Sequence, residues 1–316
     1  MEEGNCSTVS EFILLGLSDL PELSVFLSLV FLLIYGVTVM GNLGMITVIW
    51  VSSQLHIFMY FFFTHLSLVD FCNSTIIVPQ MLANTLDQRK AISFQRCKVQ
   101  FYLFGICVIT EVILLAVMAY DHSVAICCPL LYMVIMSQKF CLGLVSVCYL
   151  CATVSSLIHI CIALEIPSYR SNVVNYFFHD LPPLLSLACS DVSMNELVVY
   201  TVTSFNEIIT IMIILTSYLF ILITILRMCS AEGRHKAFSI CASHLTAIIV
   251  FHGTILFLYC RPSSDYSLET DKVVTLFYSV VIPMLNPLIY SLRNKDMKAA
   301  LRKIWVPRYL LRKCFF

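Results

Sequence analysis

Seven apolar runs separated by polar stretches cover most of the chain, at approximately Leu23 to Trp50, Ile57 to Leu82, Cys97 to Tyr120, Phe140 to Leu164, Leu197 to Leu226, Ala237 to Cys260 and Val273 to Leu292. Each supplies the roughly 20 residues with which an α-helix crosses the hydrocarbon core of a bilayer. The pattern predicts an all-α membrane protein, a seven-transmembrane helix bundle in which residues 1–316 form one domain. After the last run, Asn294 to Ile304 interleaves charges with Met297, Ala300 and Leu301, the pattern of a short amphipathic helix lying along the membrane surface. An odd number of crossings puts the two ends on opposite sides.

Composition agrees with the runs. The chain is 59% hydrophobic and 12% charged, with a mean hydropathy of +0.90, whereas a soluble domain is about a quarter charged. Net charge is zero, so nothing in the bulk electrostatics points to nucleic acid, and the partner implied by composition is the lipid bilayer. Position carries the information instead. Residues 1–22 hold five acids and no Lys or Arg, while Arg293, Lys295, Lys298, Arg302, Lys303, Arg308, Arg312 and Lys313 crowd residues 293–316. Positive charge stays on the cytoplasmic side, so 1–22 is expected outside and 293–316 is expected to form a cytoplasmic tail. Arg89, Lys90, Arg96 and Lys98 run against the rule locally. The opening Met-Glu-Glu lacks the basic region of a cleavable signal peptide, so the first run is expected to be its own insertion signal. Asn5-Cys6-Ser7 is then a glycosylation acceptor at Asn5, whereas Asn73-Ser74-Thr75 lies within the second span and out of reach.

Most of the fifteen cysteines fall within spans or on the cytoplasmic side, where they read as small packing residues. Cys6, Cys97 and Cys189 face the oxidising side, with Cys260 at its margin. A bridge from Cys97, opening the third span, to Cys189, in the long outer loop, would pin that loop over the helix mouth. Cys241 and His244 offer two soft ligands at helical spacing, short of a closed metal site, and no metal or cofactor is expected. Cys314-Phe315-Phe316 is one residue short of a prenylation box. Nothing resembles a phosphate loop or a nucleophile with its base, so no enzymatic activity is expected.

Asp70, Glu111 and Glu207 are carboxylates at membrane depth, where an isolated charge costs several kcal/mol, so each needs a partner, a proton or a wet cavity. Pro283 and Pro287 each remove a backbone donor from the seventh run and favour a kink.

Three segments carry a family resemblance: Met118-Ala119-Tyr120-Asp121 with Val124-Ala125-Ile126-Cys127, Lys236 to Leu245 (KAFSICASHL), and Pro283 to Asn294 (PMLNPLIYSLRN). They resemble the signatures of odorant (olfactory) receptors, which are rhodopsin-like G-protein-coupled receptors. Gly41-Asn42, Leu55-His56, Met59-Tyr60-Phe61 and Leu66-Ser67-Leu68-Val69-Asp70 fit the same pattern in order, over nearly the whole chain. The resemblance implies a multi-pass plasma-membrane receptor that binds a small volatile organic molecule and activates a stimulatory heterotrimeric G-protein. It implies a buried polar or ion site at Asn42, Asp70 and Glu111, with a hydrogen-bonded knot that only sets helix packing as the plainer alternative. It implies coupling and switch roles for Asp121, His122, Lys236, Asn286, Pro287 and Tyr290. Mapped by motif offset, it places the ligand among Phe104, Gly105, Val108 and Ile109, then Val202, Thr203 and Asn206, then His252, Ile255 and Tyr259, and finally Thr275 and Ser279.

Several positions depart from the family pattern. Its acid-arginine-tyrosine reads Asp121-His122-Ser123, its proline after Leu55-His56-Ile57 is Phe58, and two of its outer-loop cysteines are Tyr169 and His179. Those two losses leave Cys97 and Cys189 as the expected disulfide. His122 exchanges a permanent cation for a ring with a reference pKa near 6.5, which implies weakened coupling. A degenerate receptor, impaired in coupling or trafficking, is therefore the rival reading; a transporter or channel would call for inverted repeats or paired broken helices, which are not evident.

Overall fold

The computed structural model describes residue 6 and residues 11–14, 21–86, 91–164, 168–174, 187–259, 268–293 and 295–305. Seven helices form the bundle: α1 Pro21–Val51, α2 Phe58–Leu86, α3 Phe94–Cys127, α4 Gln138–Leu164, α5 Ser193–Arg227, α6 Ala231–Tyr259, and α7. The last runs through Leu268–Leu276, a π-helical turn at Phe277–Val281, and Ile282–Arg293. An eighth helix, α8, spans Lys295–Trp305. Among the described residues, six helices are long and apolar enough to cross a membrane; in α6 the apolar part is shorter, Cys241–Phe257. The reason is local: Glu232, Arg234 and His235 occupy its first turns, so that end of α6 is built for water.

Helix α3 is the hub, packed against α2, α4 and α5, and buries residues around most of its circumference from Cys97 to Val124. The peripheral helices turn Leu29, Leu33 and Met40 of α1 and Phe205, Ile208 and Leu215 of α5 outward, as suits a surface solvated by lipid tails. At the end of the bundle opposite the N-terminus, α5 and α6 share a small apolar cluster of Ile221, Ile225, Ala237 and Cys241, separate from the main core. Helix α8 lays Met297 and Ala300 inward and Lys298, Arg302 and Lys303 outward, and Lys303 Nζ donates to Gln54 Oε1 at 3.0 Å. The expected amphipathic helix is therefore present.

No strand was expected, yet a small sheet covers the N-terminal end. Strand β1 (Glu11–Leu14) pairs antiparallel with β2 (Ala91–Ser93) and parallel with β3 (Val173–Val174). Its anchor is Phe12, fully buried against the rings of Phe94 and Tyr169 at 5.7 and 5.3 Å. Burial pushes the Tyr169 phenol up to about 12.

This cap corrects the expected disulfide. Cys189 is bonded to Cys6, with the Cα atoms 6.2 Å apart, and Cys97 is a free, buried thiol. Pairing of β1 with β3 carries the N-terminal segment across the outer loop to Cys189, while Cys97 stays buried in the first turn of α3. Asn5 lies outside the described residues. Non-reducing peptide mapping should recover Cys6 linked to Cys189, with Cys97 alkylated only after denaturation; a Cys97–Cys189 peptide would overturn this arrangement.

Candidate functional site

Pro287 has no N–H, so the carbonyl four residues earlier, at Pro283, loses its helical donor. Asn42 replaces it: its Nδ2 donates to Pro283 O at 3.0 Å and also to Thr38 O at 3.0 Å. Gly41 makes this reach possible, because a Cβ there would stand 3.2 Å from Pro287 Cγ. Helix α1 is thus docked on the kink of α7 through one missing side chain and one borrowed donor.

The neighbouring residue ties in two more helices. Asn286 Nδ2 donates to Asp70 Oδ2 of α2 at 3.0 Å and to Glu111 Oε1 of α3 at 3.1 Å. Asp70 and Glu111 are 0% exposed and Asn286 3%. Each carboxyl keeps its second oxygen without a hydrogen-bond partner, as does Asn42 Oδ1. Two buried carboxyl groups are thus gathered on one amide nitrogen, an arrangement in which ionising both is strongly disfavoured unless a counter-charge is present.

At the end opposite the N-terminus, Asp121 and His122 do not pair. Tyr132, in the single helical turn Tyr132–Ile135 after α3, donates its OH to Asp121 Oδ1 at 2.9 Å. Burial, followed by the Asp121 carboxylate, holds that phenol well above its ordinary range, which keeps it a donor. The Tyr132 ring also rests against Phe58 at 6.4 Å, so the residue standing in place of the family's proline braces the partner of Asp121. His122 Nδ1 donates back to Met118 O at 2.6 Å, leaving its ring flat against His244 of α6, centroids 4.8 Å apart and planes 14° apart. His244 Nδ1 in turn lies 3.0 Å from the Tyr218 hydroxyl of α5. A ring stack of two imidazoles and a phenol thus joins α3, α6 and α5 at the position where the family pattern has an arginine. Tyr290 sits on α7 with its ring 4.5 Å from Phe63 of α2 and its hydroxyl unpartnered. The Lys236 side chain lies outside the described residues.

In the half nearer the N-terminus the nominated ligand residues separate by contact. Phe104 meets Tyr278, within the π-helical turn of α7, at 6.1 Å. His252 Nδ1 of α6 lies 2.9 Å from Glu207 Oε2 of α5, both buried. Ile255, Thr275 and Ser279 are buried, and Val108, Ile109, Val202 and Thr203 half-buried. Two of the set contact α4. A Cβ on Gly105 would stand 2.6 Å from Ser156 Oγ, and Asn206 Nδ2 donates to Ser155 Oγ at 3.2 Å and to Val202 O at 3.0 Å, so both belong to the seam with α4. The Tyr259 side chain lies outside the described residues. An apolar cavity of about 460 Å³, lined by Trp50, Leu55, Phe58, Phe61 and Cys141, opens between α1, α2 and α4 at the other end of the bundle, remote from these residues.

The Glu207–His252 contact and the His122–His244–Tyr218 stack were not anticipated as contacts. The only signal for the first was an acid in the fifth apolar run and a histidine in the sixth, both too costly at membrane depth to stand alone. The second carried none, since stacking depends on helix rotation.

A family model described as olfactory receptor matches residues 31–308. Olfactory receptor 5L1 of Homo sapiens is 69% identical over 304 residues, covering 96% of this chain and 98% of that one. Olfactory receptor 5L2 of Homo sapiens is 68% identical over the same span, with the same coverage. Olfactory receptor 5AP2 of Mus musculus is 52% identical over 304 residues, covering 96% of each chain. Replacing Asn42 by Leu, close in volume but without a donor, orphans the Pro283 carbonyl and should cost about 1–3 kcal/mol. The check is the thermal midpoint of the purified chain in nanodiscs, where an unchanged value would show that the carbonyl does not depend on Asn42.

Proposed function

The chain belongs to the olfactory receptor family, a family of receptors rather than enzymes, and on that premise we propose that it binds small volatile organic molecules and activates a stimulatory heterotrimeric G-protein. The ligand occupies the outer half of the bundle, and the G-protein meets the inner end. The acidic residues 1–22 and the basic residues 293–316 support an extracellular N-terminus and a cytoplasmic tail in the plasma membrane.

The observation that carries this reading is the single amide of Asn286 shared by Asp70 and Glu111. It joins α2, α3 and α7 at mid-depth, between the outer residues and the inner ring stack, beside a kink in α7. Such a cluster has two arrangements, set by where its proton or cation resides. A ligand that contacts α3 and α7 better in one of them shifts the population toward it, by as much as its differential affinity and no more. The inner end of α6 is suited to follow, because it is held to α5 by its own apolar cluster and to α3 by stacked rings.

One observation favours the second reading, a receptor impaired in coupling. With Tyr132 as the described hydrogen-bond partner of Asp121 and His122 turned back on its own helix, no fixed cation of the acid-histidine-serine motif is offered to the inner cleft. Changing His122 to Arg together with Ser123 to Tyr should raise the agonist-evoked cAMP response several-fold at matched surface labelling. An equal response in both versions would remove the histidine as the limiting element, and intracellular retention of both would place the defect in trafficking.

A further inference from the structure

The cavity between α1, α2 and α4 lies apart from the ligand residues of the outer half, and the chemistry of its walls defines what fits it. Its volume is about 460 Å³, within the range of small-molecule sites. Four of its lining side chains carry flat rings: Trp50, His56, Phe58 and Phe61. Ile46, Ile49 and Cys141 add aliphatic and small surface between them. Among the described residues no Lys, Arg, Asp or Glu lines the cavity, so it offers no counter-charge to a phosphate or carboxylate headgroup. Its polar side chains are His56, Thr64 and Gln138. Thr64 Oγ1 is already engaged, donating to Tyr60 O at 2.9 Å, whereas His56 and Gln138 are exposed.

The cavity opens toward lipid. Trp50 is 80% exposed, Ile57 45% and Leu142 49%, continuous with the outward apolar residues of α1 and α4 that a bilayer covers. What enters is therefore drawn from the membrane. The fold itself holds the walls: Phe58 rests against Tyr132 at 6.4 Å, the Tyr132 hydroxyl is bonded to Asp121, and His56 Nε2 lies 3.3 Å from Trp50 O. A preformed slot between flat rings favours a rigid, flat molecule, because an acyl chain loses rotational freedom at every bond it immobilises there. We propose that this cavity binds a membrane sterol, its fused rings among Trp50, Phe58 and Phe61 and its single hydroxyl at His56 and Gln138. An uncharged lipid with one polar group matches a wall that has rings and polar amide and imidazole groups but no charge. The aromatic wall depends on Phe58, which stands where the family pattern has proline, so the site is a property of this chain rather than of that pattern. It does not rest on the odorant-binding reading.

The test uses the purified full-length chain in phosphatidylcholine nanodiscs with and without cholesterol. Cholesterol should raise the thermal midpoint by about 2–4 °C, the size of effect expected of a ligand that binds only the folded chain. Phe58→Pro should remove most of that rise and still fold, because Phe58 is the first residue of α2 and proline suits that position. Leu142→Trp, a change on the lipid-facing rim that fills the slot, should remove it as well. A photoreactive sterol should label the peptides carrying residues 46–64 and 138–142. Excess cholesterol should lower that label several-fold, and a straight-chain alcohol of similar carbon number should lower it far less. Should Phe58→Pro fail to fold, Leu142→Trp and the labelled peptides decide. No rise with cholesterol, or a rise that survives Leu142→Trp, would overturn the proposal. So would label spread evenly over α5 and α6, which would mark a general effect of the bilayer, or equal competition by the straight-chain alcohol, which would assign the slot to acyl chains.

Discussion

Pro287 withholds one backbone hydrogen, and the middle of the bundle is organised around the carbonyl this leaves free. The Pro283 oxygen is met by Asn42; the approach that allows it requires a glycine at 41; and the residue beside the proline, Asn286, spends its amide on Asp70 and Glu111. Three helices, α1, α2 and α3, are thereby tied to the one turn of α7 from Pro283 to Pro287. In lipid, water is not at hand to satisfy a backbone group, so a defect in one helix has to be repaired by another. That requirement turns a local kink into a contact shared by α1, α2, α3 and α7.

The helices were legible in the sequence because the bilayer imposes a length and an apolar content on each of them. Boundaries came within a few residues except where helices continue past the apolar part, as at Ala231 in α6 and Cys127 in α3. The strand cap was not legible. Glu11–Leu14 is too short to show a period, and its pairing with 91–93 and 173–174 joins segments far apart in the chain. The disulfide failed for the same cause: a partner chosen by family habit was Cys97, whereas the pairing of β1 carried Cys6 to Cys189.

Within the site, residue identity transferred better than direction. Motif offsets located Asp70, Glu111 and Asn286 at one depth, and their hydrogen bonds follow from that. Offsets carry no account of helix rotation, which is why Gly105 and Asn206 turned out to face α4. Glu207 and His252 illustrate the converse. The physical argument required of Glu207 a partner, a proton or a wet cavity, while His252 came only from the motif offset, and neither reading named the other residue as its contact.

The N-terminal strand has a consequence for the order of assembly. It is made first, but β3 and Cys189 emerge only after four helices have been synthesised, and the bond closes a separation of 183 residues. Until then Phe12 has no Tyr169 to cover it and the Cys6 thiol has no partner. On the proposed orientation, which places that segment on the oxidising side, a thiol beside an apolar anchor stays unpaired until the outer loop before α5 has been made. Completion is thereby reported at the end of the molecule that was translated first.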